Sequence, residues 1–167
     1  MIKELSPGGF VTLLCWLYPM TLLLHLAEEY WAGVALSDSP QKMRGVNLTP
    51  TRFLALTGLG TMLVLAGIII AQRFRFPQMM LVILGIFVLI NGLSHTITSA
   101  LKAQYNPGVV TGLLLWVPLG ALTLSGLKSA VIWQRYWTGI VIGIAIHVVV
   151  SILARGIGRV LPAKMDQ

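Results

Sequence analysis

Five apolar runs divide the chain, at about residues 10–32, 53–72, 79–101, 109–127 and 138–154. Each holds roughly 20 residues, the length that a helix rising ~1.5 Å per residue needs to cross ~30 Å of hydrocarbon. The pattern predicts an all-α fold, a polytopic membrane helical bundle of about five transmembrane helices, forming one domain over residues 1–167. Residues 37–51 make the longest connection, where Asp38, Pro40 and Pro50 break helical periodicity and Met43, Val46 and Leu48 suit an interfacial position. The run Arg73-Phe-Arg-Phe-Pro77 predicts a tight basic turn with aromatic anchors. The stretch holding Lys128, Trp133, Arg135, Tyr136 and Trp137 has the composition of a headgroup boundary and is expected to connect the last two spans.

Composition sharpens this picture. Of 167 residues, 56% are hydrophobic and 10% charged, against about a quarter charged in soluble domains, and mean hydropathy is +0.84. The first partner is therefore the lipid bilayer, and any site must lie within the bundle. The net charge of +7 does not indicate nucleic acid, because the basic residues are scattered over the connections, where anionic headgroups attract them. They divide too evenly between the two faces to fix an orientation. Localisation is expected to be integral to the membrane, in the bacterial inner (plasma) membrane. The apolar N-terminal run is expected to remain as the first helix, since Glu28 and Glu29 follow it instead of a small-residue cleavage site. Cys15 stands alone, so no intrachain disulfide or thiolate zinc site is available, and it is expected to pack. Gly58, Gly60, Gly67, Gly139 and Gly143 are expected to let helices approach closely. Pro19 and Pro118 cannot donate to the carbonyls of Cys15 and Leu114, which predicts kinks.

Candidate chemistry comes from the few polar residues inside the spans. Glu28 and Glu29 stand near the end of the first, where a charged carboxylate is costly unless it faces the bundle interior. His25 lies three and four residues earlier, on the same helix face. Asn91 and His95 stack at i, i+4 in the third span, and His147 lies in the fifth. The first and third helices run in the same direction, which brings His25, Glu29, Asn91 and His95 to similar depth. His147 is shallower by this count.

The strings His25-Leu-Ala-Glu28-Glu29, Asn91-Gly-Leu-Ser-His95 and Tyr105-Asn-Pro-Gly108, in that order, resemble the HXXEE family of small membrane proteins. The resemblance implies that these residues belong to one shared site; the family brings no established activity with it.

His and carboxylate side chains together suit zinc, iron or manganese. The reading expected from these residues is a metal-dependent membrane enzyme of hydrolase or oxidoreductase type. His25, His95, His147 and Glu29 would hold a divalent metal, with Glu28 or Glu29 as general base and Asn91 orienting a ligand or polarising the substrate. The substrate would be lipophilic or a small molecule reaching the site from the membrane. Tyr105 would cap the site, although Tyr105-Asn-Pro-Gly108 is first of all a turn that starts the fourth helix. Glutamate-dependent intramembrane proteases offer a weaker analogy, departing at Gly33 and Asn91. From another class comes a proton- or ion-coupled small carrier or ligand binder using the same Glu/His cluster, which at this size would act as a homo-oligomer.

Overall fold

A computed structural model describes residues 7–32, 42–43, 46–47 and 50–160. Five helices follow in order: α1 Pro7–Tyr30, α2 Pro50–Arg73, α3 Pro77–Lys102, α4 Val109–Leu127 and α5 Trp133–Val160. They fall on the five expected spans. Each is long and apolar enough to cross a membrane, so the chain is an integral membrane protein. Between α1 and α2, β1 Lys42–Met43 pairs antiparallel with β2 Val46–Asn47, in the register Lys42 to Asn47 and Met43 to Val46. The rest of that long connection lies outside the described residues.

α3 is the central helix, and α4 and α5 pack along its length while α1 and α2 close the bundle at its side. Glycines on four helices set these contacts. A Cβ at Gly92 would lie 2.7 Å from the Gly112 carbonyl oxygen, and one at Gly120 would lie 2.6 Å from that of Gly85, so α3 and α4 touch backbone to backbone. Gly139 and Gly143 face Met79, Val82, Ile83 and Ile86 of α3, as their GxxxG spacing predicts, and Gly67 faces Met80. Gly58 and Gly60 are a correction: a Cβ at either would meet nothing within 4 Å, so neither mediates a helix contact among the described residues.

The core holds Leu14, Cys15 and Tyr18 of α1, Leu81, Val82, Leu84 and Val88 of α3, and Trp116, Leu119 and Leu127 of α4. One buried hydrogen bond ties α1 to α4, from the Tyr18 hydroxyl to Thr123 Oγ1 at 2.8 Å. α1 runs through Pro19 without interruption. α4 answers its proline differently, widening into a π turn over Gly112–Trp116 just before Pro118. Proline removes an i to i−4 donor, and a π turn is one way for the helix to absorb that loss.

Candidate metal centre

One stripe of α1, through Val11, Leu14, Cys15, Tyr18 and Leu22, faces the core. His25 and Glu29 continue it at the same helical spacing. His95 extends the buried stripe of α3 that passes through Gly85, Val88 and Gly92. The His25 and His95 rings are 1% and 2% exposed. Counted back from the helix ends at Tyr30 and Lys102, both lie about 8–10 Å below one face of the bundle.

Glu29 stands between the two rings. Its Oε1 is 3.2 Å from His95 Nε2 and 3.7 Å from His25 Nε2, and one ligand atom from each of the three residues falls within 4.8 Å of the others. The rings meet edge to face at 5.1 Å between centroids. Trp116, carried in by the π turn, stacks on His25 at 3.7 Å. Its Nε1 is buried and finds no acceptor among the described residues.

The segment between α3 and α4 completes the surroundings. α3 ends with Ala103 in the left-handed region, its N–H and that of Gln104 returning to Ala100 and Ser99 carbonyls. Asn106 to Val109 then form a type II turn, with the Val109 N–H donating to the Asn106 carbonyl at 2.9 Å. Pro107 presets the second position, and Gly108 takes the positive φ of +90° that the third requires. A Cβ on Gly108 would sit 2.8 Å from His25 Cε1 and 2.9 Å from His95 Cε1. The turn therefore rests directly on both imidazoles, and glycine is required there for space as well as for conformation.

Gly108 is also the N-cap of α4 and has no side chain to accept the first N–H groups of that helix. Glu28 supplies the acceptors from α1. Its Oε1 accepts the Val110 N–H at 3.0 Å and the Tyr105 hydroxyl at 2.6 Å; its Oε2 accepts the Thr111 N–H at 2.7 Å and the Thr111 hydroxyl. A carboxylate from one helix thus caps another, with negative charge at the positive end of its dipole. Four donors offset the cost of a charged group this close to hydrocarbon. Beyond the cluster, His25 Nδ1 lies 2.8 Å from Thr111 Oγ1 and His95 Nδ1 lies 3.1 Å from Asn106 Nδ2.

A family model described as a protein of unknown function with HXXEE motif matches residues 16–123. The chain belongs to the HXXEE family. No curated protein and no solved structure matches it. The HXXEE match takes in every residue of the cluster and of the turn, and stops short of α5, which carries His147.

Of the residues read from sequence as ligands, His25, Glu29 and His95 come together. His147 packs edge-on against Phe87, with centroids 5.5 Å apart, two turns or about 12 Å along α3 from His95. Its ring is not among the converging ligand atoms. Glu28, read as a base, directs both oxygens to α4 and its turn. Asn91 is half-buried on α3, one turn before His95. Thr111 and Trp116 were not legible as site residues, because nothing local marks either; Asn106 and Gly108 belong to the Tyr105-Asn-Pro-Gly108 string, which the family resemblance puts in the site although its residue pattern by itself reads as a turn.

Tyr105 reaches Glu28, beside the cluster instead of over it. Burial of its hydroxyl and the Glu28 carboxylate push the phenol up to about 12. Because this pKa is raised on folding, the stability it contributes is complete below about pH 10 and is lost as pH climbs through about 12. The ring is 55% exposed, so Tyr105→Phe is expected to cost only about 1 kcal/mol after allowance for solvent. An unfolding midpoint in detergent equal to that of the native chain would show that this hydroxyl contributes nothing.

Proposed function

We propose that this HXXEE protein is a metal-dependent membrane enzyme whose divalent ion is held by His25, Glu29 and His95. The convergence of two imidazoles and one carboxylate on one point carries the reading. Ligands about 2.0–2.1 Å from a tetrahedral ion are about 3.4 Å from one another. The 3.2 Å and 3.7 Å separations at Glu29 lie within a few tenths of an ångström of that value, so small side-chain movements would close the set. Two histidines and a carboxylate leave a position open for water or substrate, as catalytic zinc sites do, and the same donors suit iron(II) or manganese.

In such a site the ion activates water or polarises the substrate. Glu28, held by four donors, is a positioning residue in this reading and not the general base. The depth of about 8–10 Å suits a substrate that enters from the membrane or its surface. A carrier would string its titratable groups along a path, and three groups gathered at one end of the bundle fit that less well.

The test is metal content by elemental mass spectrometry on protein purified without chelator from metal-supplemented cells. We expect close to one equivalent of zinc, iron or manganese per chain, retained in His147→Ala. Metal-free native protein would overturn the reading, and loss of metal from His147→Ala would bring α5 into the ligand set.

A further inference from the structure

The hydrogen bonds behind the two imidazoles assign them opposite tautomers. Thr111 Oγ1 has one proton, which goes to the Glu28 carboxylate, because an ionised carboxylate only accepts. The oxygen at 2.8 Å from His25 Nδ1 is then the acceptor, and the His25 proton sits on Nδ1. His25 Nε2 therefore turns a lone pair toward Glu29. Behind His95 the order is reversed. Asn106 Nδ2 lies 3.1 Å from His95 Nδ1 and 3.4 Å from the His95 carbonyl oxygen. A carbonyl cannot donate, so that corner calls for the amide nitrogen, and a flipped amide would set two oxygens against each other. His95 Nδ1 must then accept, which leaves the proton on Nε2, facing Glu29 Oε1 at 3.2 Å.

We infer that Asn106 is the positioning residue that decides whether His95 joins the metal. This rests on the metal reading above. A metal takes lone pairs only, so His95 must give up the proton on Nε2 and take one on Nδ1, with no net change in protons. The Nδ1–H then needs an acceptor, which Asn106 can offer only by rotating its amide to present Oδ1. Ligating histidines ordinarily hand their second N–H to a fixed carboxylate or carbonyl. Here His25 has such a fixed acceptor in Thr111, backed by Glu28, while His95 has one that must turn. Loading is thereby a two-stage event, with His25 and Glu29 ready and His95 following.

The experiment uses full-length, chelator-treated protein with 15N-labelled histidine in nanodiscs, each ring assigned by single substitution, followed by cobalt(II) titration. In the metal-free native chain we expect His25 with its proton on Nδ1 and His95 with its proton on Nε2. Asn106→Asp, which supplies a permanent acceptor, is expected to move the His95 proton to Nδ1 and tighten cobalt binding about ten-fold. Extra negative charge alone would tighten binding without moving the proton, so the 15N shifts separate the two causes. A proton on His95 Nδ1 in the native chain would overturn the inference without any use of the variant. Equal cobalt affinity in the two chains would overturn Asn106 control while leaving the metal reading intact; no cobalt binding by either chain would overturn both.

Discussion

Glu29→Gln is expected to take bound metal from about one equivalent per chain to background, with affinity falling at least about a hundred-fold, beyond the usual effect of removing an outer-shell partner. The substitution keeps shape and volume and removes one charge. Among the described residues, Glu29 is the only acidic one whose oxygen converges with the two rings, and both rings are almost fully buried. A divalent ion held there by two neutral imidazoles and an amide would sit in a poorly solvated interior with no anion to balance it. The fold should persist, because Glu29 is not part of the core of Leu14, Tyr18, Leu81, Trp116 and Leu127. Elemental analysis of Glu29→Gln beside His95→Ala, each with a circular dichroism spectrum, checks this. Native metal content in a folded Glu29→Gln chain would mean that the ion lies elsewhere.

The helices were legible because the bilayer imposes a length and a polarity that few other constraints resist, and every expected span has its helix. The errors lie at the boundaries and in the pairings. The Trp133–Trp137 stretch reads as a connection, yet α5 begins at Trp133. Aromatic and basic residues suit a headgroup boundary and suit a helix equally well, so composition cannot say where the helix starts. That shift of five residues, about 8 Å along the axis, changes the depth count from which His147 was compared with the other candidates, and the structure puts it beside Phe87.

His25, Glu29 and His95 were legible because a buried polar stripe on an otherwise apolar helix needs partners, and helices of equal direction make depth comparable. The role of Glu28 was not. Its partners are two backbone N–H groups, a tyrosine and a threonine 77 to 83 residues away, and backbone donors leave no trace in a residue pattern. A faint signal did exist in Gly108, which starts α4 without any side chain of its own to cap it.

That missing cap predicts the largest effect on stability. Glu28→Ala strips acceptors from the Val110 and Thr111 N–H groups and from the Thr111 and Tyr105 hydroxyls at once. The Thr111 pair is part-buried and the other two are exposed, so the buried pair dominates, and a loss of roughly 3–4 kcal/mol is expected. Tyr105→Phe removes one exposed donor and should cost far less. Glu28→Gln should fall between them, because one amide oxygen can still accept while the amide nitrogen opposes donors. The same substitution reaches His25. Without Glu28 the Thr111 hydroxyl is free to donate to His25 Nδ1, which drives that ring to the tautomer with its proton on Nε2 and removes a lone pair from the metal position. Glu28→Ala should therefore unfold earlier and, while still folded, bind cobalt(II) about ten-fold more weakly, whereas Tyr105→Phe keeps the native affinity. Thermal unfolding in detergent and cobalt titration measure the two losses separately. A stability loss with unchanged cobalt affinity would confine Glu28 to capping α4; loss of both in the order Glu28→Ala, Glu28→Gln, Tyr105→Phe would mean that the residue fastening α1 to α4 also sets the ligand at the centre of the cluster.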